Sequence, residues 1–301
     1  MRARTVLKAG LLAGAVGIGY ASVIERNWFA LREREVPVLA PGSAPLRILH
    51  ISDIHLTPGR HRLMSWLRSL DALEPDLVVN TGDSIAHHQG IRPLLDALGP
   101  LLDRPGVFVY GSNDMFAPKF KNPLRYLLGP SSDHEREIPT LPTRELGESL
   151  ETAGWFDANN RRGRIKVGDV DIEVAGVNDS HVKLDRYEDV AGPADPAADL
   201  RIGVLHSPEP RVLNQFVADG FDLLLAGHTH GGQLCLPGYG ALVTNCGIPR
   251  SMVSGLHRYA ERDGRTAWLH VSAGLGTAPT APVRFSCRPE ATLLTLVSGI
   301  S

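Results

Sequence analysis

The chain has 301 residues, 43% of them hydrophobic and 21% charged, a composition suited to a globular protein with a sizeable core. Its formal net charge of -2 excludes a strongly basic, polyanion-seeking chain, so no nucleic-acid partner is expected. Cys235, Cys246 and Cys287 show no CxxC spacing, which argues against a thiolate-rich metal site; they read as inert thiols, with a Cys235–Cys246 bridge the alternative in an oxidising compartment.

Arg2, Arg4 and Lys8 precede an uncharged run from Ala9 to Ile24, which Glu25 and Arg26 close. Sixteen residues at about 1.5 Å each fall slightly short of a full bilayer span, and Val6 and Leu7 extend the run. Residues 1–26 therefore read as an uncleaved N-terminal membrane anchor, with a cleaved signal segment and secretion as the alternative. The positive flank lies on the N-terminal side, which places the remainder outside the cytoplasm. Pro37 to Pro45 is rich in proline and small residues, so 27–45 reads as a linker and 46–301 as the main domain.

Within that domain Leu46 to Ser52 is strand-like, Leu63 to Leu73 repeats apolar residues at helical spacing, and Asp76 to Asn80 is a short apolar run typical of a buried strand. Ile91 to Leu102 suits a helix and Gly106 to Tyr110 a strand. From Asp171 onward the pattern is more purely β. Strand–helix alternation followed by strand-rich sequence predicts stacked sheets with outer helices. Phe116 to Trp155 breaks the rhythm and reads as an insertion, either solvated or capping a site.

Carboxylates, imidazoles and an amide recur where apolar runs end: Asp53 and His55, Asp83, Asn113 with Asp114, His206, and His228 with His230. The carboxyl ends of neighbouring strands converge on one crevice in α/β sheets, so these groups can meet. Oxygen and imidazole donors without thiolate suit Mn²⁺, Fe²⁺, Zn²⁺ or Mg²⁺.

The order DxH, GD, a GN-type motif, H and GHxH resembles the calcineurin-like metallophosphoesterases, over residues 46 to about 297. The string Gly227-His228-Thr229-His230-Gly231-Gly232-Gln233, with the later Ser272-Ala273-Gly274-Leu275-Gly276 and Pro282-Val283-Arg284-Phe285, is similar to a branch of bacterial membrane-associated or exported phosphoesterases. The resemblance implies an α/β, four-layer α-β-β-α sandwich of two stacked mixed β-sheets flanked by helices, here behind the anchor helix. It implies two divalent metal ions: Asp53, His55 and His230 on the first, Asn113, His206 and His228 on the second, and Asp83 bridging. A hydroxide bridging the ions would then attack the phosphorus of an ester, diester or pyrophosphate. With an anchor, a lipid-linked or envelope substrate is the expected partner. A non-catalytic metal-binding scaffold of the same fold is the alternative function.

The family's usual motif is Gly-Asn-His-Asp or Gly-Asn-His-Glu, and this chain has Ser112-Asn113-Asp114. Keeping Asn113 as ligand puts Asp114 at the position of the family's proton-donating histidine. Three readings compete: a leaving group that needs little protonation, a ligand or orienting role for Asp114, or slow turnover. Ala86 stands where purple acid phosphatases carry a tyrosine, which disfavours a tyrosinate–ferric site.

Overall fold

The computed structural model describes residues 8, 12, 14–118, 140–261 and 264–299. The strands and helices along the chain are β1 (Ala30–Leu39), β2 (Leu46–Ile51), α1 (His61–Ser69), β3 (Leu77–Asn80), α2 (Ile91–Leu98), β4 (Gly106–Phe108), the single turn α3 (Ser112–Met115), α4 (Thr143–Thr152) and β5 (Phe156–Asp157). They continue with β6 (Arg161–Val167), β7 (Val170–Gly176), β8 (Leu200–Val204), α5 (Pro210–Asp219), β9 (Leu223–Ala226), β10 (Cys235–Leu236), β11 (Gly240–Ala241), β12 (Gly255–Ala260), β13 (Thr266–Val271) and β14 (Glu290–Ser298).

Two six-stranded mixed sheets result, ordered β1-β14-β2-β3-β4-β5 and β12-β13-β9-β8-β7-β6. Side chains alternate between faces along a strand, and the core divides accordingly. Leu77 and Val79 of β3 meet Leu223 and Leu225 of β9 in the layer between the sheets. Val78 faces outward, into a cluster with Leu63 and Leu67 of α1 and Leu94 and Leu98 of α2. On the far side Leu224 packs with Leu213 and Phe216 of α5. This is the expected helix–sheet–sheet–helix stack. β2, β3, β4 and β5 run parallel, as do β7, β8 and β9, so their carboxyl ends open toward one edge.

The linker reading of 27–45 is corrected. Residues 30–39 form β1, paired in parallel with β14 from Ala30 opposite Glu290 onward. Ala30, Val36 and Leu39 are buried, whereas Glu33, Arg34 and Glu35 face solvent. Charges on an exposed strand edge discourage pairing with other chains, and proline is tolerated there because it need not donate. Both features hid a strand behind a linker-like composition.

Among the described residues no helix is long and apolar enough to cross a membrane; residues 1–7, 9–11 and 13 of the expected anchor lie outside them. The stretch from Ala21 to Arg26 is docked on the domain. Ala21 O accepts from Arg284 N at 3.0 Å, Glu25 is buried and accepts from Cys287 N at 2.6 Å, and Arg26 Nε donates to Thr277 at 3.0 Å. The middle of the expected 116–155 insertion, residues 119–139, is likewise outside the described residues. Its last part is no cap: Leu146 and Leu150 of α4 and Trp155 belong to the first sheet's outer core.

Candidate metal centre

Each expected ligand sits just past a strand end: Asp53 and His55 after β2, Asp83 after β3, Asn113 after β4, His206 after β8, and His228 and His230 after β9. Five of these seven, Asp53, His55, Asp83, His228 and His230, hold a left-handed backbone with φ between 45° and 70°. Non-glycine residues adopt that region at a cost, and such strain gathers at functional sites. Glycines let the turns approach one another. A Cβ on Gly227 would lie 2.6 Å from Asp53 Oδ2 and closer still to Ser52 Oγ; one on Gly111 would collide with Asp83.

The side chains converge. His55 Nε2 is 3.1 Å from His230 Nε2, which lies 3.6 Å from Asp53 Oδ1. Asp83 Oδ2 is 3.4 Å from His55 Nε2 and 3.5 Å from His206 Nε2. His228 Nδ1 is 3.3 Å from His206 Nε2. Asn113 reaches the same oxygen, donating Nδ2 to Asp83 Oδ2 at 2.7 Å; ligation through its Oδ1 requires the amide to turn over. Asp53, His55 and His230, and separately Asp53, Asp83 and His206, each bring ligand atoms within 4.8 Å of one another.

Outer partners fix which atoms face the centre. His206 donates Nδ1–H to Thr81 O at 2.7 Å, and His228 Nε2 meets Asn245 O at 3.3 Å. Those contacts turn His206 Nε2 and His228 Nδ1 toward each other at the centre. Ser52 Oγ donates to Asp53 at 2.6 Å, as does His228 N at 3.0 Å; Asn113 N donates to Asp83 at 2.8 Å.

The electrostatics point the same way. Burial pushes the Asp83 carboxyl up, but His206 and His55 outweigh it and hold it well below the usual range. Burial, opposed by His206, raises Asp53, with Asp83 adding to the rise. Burial lowers His55 below an ordinary histidine, opposed by Asp83, and lowers His228 and His230 well below it. Against burial, Asp83 and Asp179 raise His206 well above an ordinary histidine. Two buried carboxylates among close-set imidazoles suit positive charge, and the donor set fits divalent cations.

Asp114 departs from the expectation. It is fully buried, with Oδ1 accepting from Ser84 N at 2.7 Å and Ile85 N at 3.0 Å, and Oδ2 from Gly111 N at 3.0 Å. Burial, then Asp83, push its carboxyl up to about 7. It is a clamp between the Asp83 turn and the Asn113 turn rather than a group presented to substrate, because all its contacts go to backbone.

Several residues at the centre escaped the sequence reading. Asp179 is fully buried and accepts from Ser112 N and His181 N, each at 2.8 Å; the His181 ring packs 4.5 Å from that of His228. Both follow β7, so the strand-end rule that found the ligands reaches them too. Arg284, buried behind His230, carries no periodic signal and is marked in the sequence only by the Pro282–Phe285 string, with no role assigned. His50 and His270 meet each other between the sheets, Nδ1 to Nδ1 at 2.8 Å, and His50 Nε2 meets Thr81 Oγ1 at 3.0 Å.

The model of the calcineurin-like phosphoesterases matches residues 46–232, more than half the chain. The chain is 27% identical to phosphodiesterase YaeI of Escherichia coli (strain K12), over 96% of each. It is 28% identical to the uncharacterized metallophosphoesterase YkuE of Bacillus subtilis (strain 168), over 97% of this chain and 94% of that one. A bovine transmembrane protein with metallophosphoesterase domain (Bos taurus) is 27% identical over 87% of this chain and 56% of its own length.

Proposed function

The chain belongs to the calcineurin-like phosphoesterase family and is a metal-dependent phosphoester hydrolase, and from that premise we propose that it hydrolyses phosphodiesters at a dinuclear divalent centre. Asp53, His55 and His230 would hold one ion and Asn113, His206 and His228 the other, with Asp83 shared between them. The observation that carries this reading is Asp83 Oδ2, which sits 3.4 Å from His55 Nε2 and 3.5 Å from His206 Nε2, between the two donor sets. Divalent ions held there supply Lewis-acid charge at the phosphate oxygens and water acidic enough to act near neutral pH. The chain's own residues set the stage: Thr81 O and Asn245 O orient the rings of His206 and His228, and Asp114 locks the turns bearing Asp83 and Asn113. The Escherichia coli relative's name, phosphodiesterase, favours diesters over monoesters.

A lipid-linked substrate at a membrane surface deepens the reading. Val23, Ile24 and Trp28 are exposed, and so are Leu234, Leu236, Tyr239 and Leu242 around the β10–β11 hairpin. Tyr20, Trp28, Leu236 and Tyr239 line one cavity of about 890 Å³, together with Arg32, Arg250 and Arg288. Apolar side chains beside arginines suit an interface of acyl chains and anionic head groups. The bovine relative is named a transmembrane protein, which favours the same surroundings.

The test uses the full chain with Mn²⁺ on bis-p-nitrophenyl phosphate and p-nitrophenyl phosphate, with Asp83→Ala as control, and counts bound metal. Two ions per chain, diester turnover, and loss of both in the variant are expected. Saturation at one ion, or an Asp83→Ala chain that keeps two, would sink the dinuclear reading. For the lipid, a phospholipid diester in vesicles is compared with its water-soluble head-group diester; equal kcat/KM on both would remove that part.

A further inference from the structure

Cys235 and Cys287 are distant in sequence but their backbones are stitched together. Leu234 and Phe285 form a parallel bridge, and Cys235 N donates to Phe285 O at 2.8 Å. Cys287 packs against the small buried cluster that contains Cys235. Both also point at one carbonyl, Gly231 O, at 3.2 Å from Cys235 Sγ and 3.4 Å from Cys287 Sγ; Cys287 Sγ lies 3.1 Å from His230 O. Both line the cavity of about 890 Å³, so small molecules reach them, Cys287 more readily than the buried Cys235. Cys246 is elsewhere, in the core beneath the second sheet, where it donates to Thr244 O at 3.5 Å. The Cys235–Cys246 pairing entertained from sequence is therefore not the one this fold favours.

We propose that Cys235 and Cys287 are a disulfide-forming pair, a modification site that in an oxidising compartment cross-links the loop following His230 to the 284–288 segment. The oxidant is a small disulfide. The sulfur of Cys287 attacks it and releases one thiol; the sulfur of Cys235 then attacks the Cys287 sulfur of the mixed disulfide and releases the second. One small disulfide becomes two thiols, and two cysteines become one cystine. The paired backbone at Leu234 and Phe285 holds the two cysteine-bearing segments side by side for the bond to form. That bond removes the thiol donors from Gly231 O and replaces them with a covalent clamp behind the residue carrying His230.

The full-length chain, reduced and then incubated with oxidised glutathione, provides the test. Thiol counting should fall from three to one, and peptide mapping without reductant should join the Cys235 and Cys287 peptides. Closing a loop of roughly 50 residues should raise Tm by roughly 5–10 °C. Dithiothreitol should reverse all three changes, Cys246→Ser should retain them and Cys287→Ser abolish them. Three titratable thiols after oxidation, a bond that uses Cys246, or a persistent glutathione adduct would overturn the pairing. An unchanged Tm in the cross-linked chain would overturn the clamp. Thiol counting and mapping on the unaltered chain decide the matter even if a serine variant folds poorly.

Discussion

Arg284 grips His230 from behind: Nη2 lies 3.1 Å from its Nδ1, and Nη1 donates to its carbonyl oxygen at 2.8 Å. The same guanidinium donates to Gly276 O at 2.7 Å and Gly274 O at 3.1 Å, and the side chain is fully buried. A planar fork can span these acceptors, whereas an ammonium cannot. Arg284→Met should leave the carbonyls unpaired and lower stability by about 3 kcal/mol. Arg284→Lys should restore only part of it. Urea unfolding checks the order; equal stability of the arginine and lysine chains would count against the fork.

Asp114 offers a second test, because its two oxygens serve three backbone N–H groups. Asp114→Asn turns one acceptor into a donor facing a donor, which costs about 1–3 kcal/mol. The Asp114→His change that the family motif invites should fare worse, giving a poorly folded chain rather than a faster enzyme, since no space at that position is solvent-facing. A well-folded histidine variant with raised activity would return Asp114 to the substrate.

Acid should weaken the fold through the pair between the sheets. Burial lowers His50 from its ordinary 6.5 to about 3 and lowers His270 as well. Below about pH 6.5 the unfolded chain takes up protons at these positions and the folded chain does not. Stability is thus fully present above that pH and is lost as pH falls toward 3, by about 1.4 kcal/mol per pH unit for each such group. Urea midpoints measured at pH 7, 6 and 5 should drop, and a chain with His50→Phe and His270→Phe should show a shallower slope. Parallel slopes would assign the acid sensitivity to other residues.

Much of this arrangement was legible beforehand. Runs such as Asp76–Asn80 and Phe221–Gly227 are apolar on both faces, as strands covered by a sheet and a helix must be, and the ligands mark their ends. Residues whose role is set by one tertiary neighbour did not disclose that role. Arg284 has no period, Asp114 sits one position beyond a ligand and points away from it, and β1 has the charges of an edge. Motif order fixes chemistry at strand ends but does not say which side chain spends itself on backbone.

The strand hidden in that edge yields a truncation experiment. A chain starting at residue 43 removes all of β1 and, with it, the cover over β14. It should express as an aggregating or partly unfolded product, while one starting at residue 14 should fold. Circular dichroism and gel filtration of the two would decide, and a monomeric, cooperatively melting chain from residue 43 would refute a structural role for β1.

The first sheet also has a temporal side. Its penultimate strand, β14, is the last in the chain, and it lies between β1 and β2. Arg288 Nε meets Trp28 O across a separation of 260 residues. During synthesis β1 therefore leaves the ribosome with nothing to pair with, and waits until Glu290 and the rest of β14 have emerged. The second sheet, from β6 to β13, is contiguous in sequence and can assemble earlier. A message cut between β13 and β14 yields a second sheet facing a first one that lacks the strand joining β1 to β2.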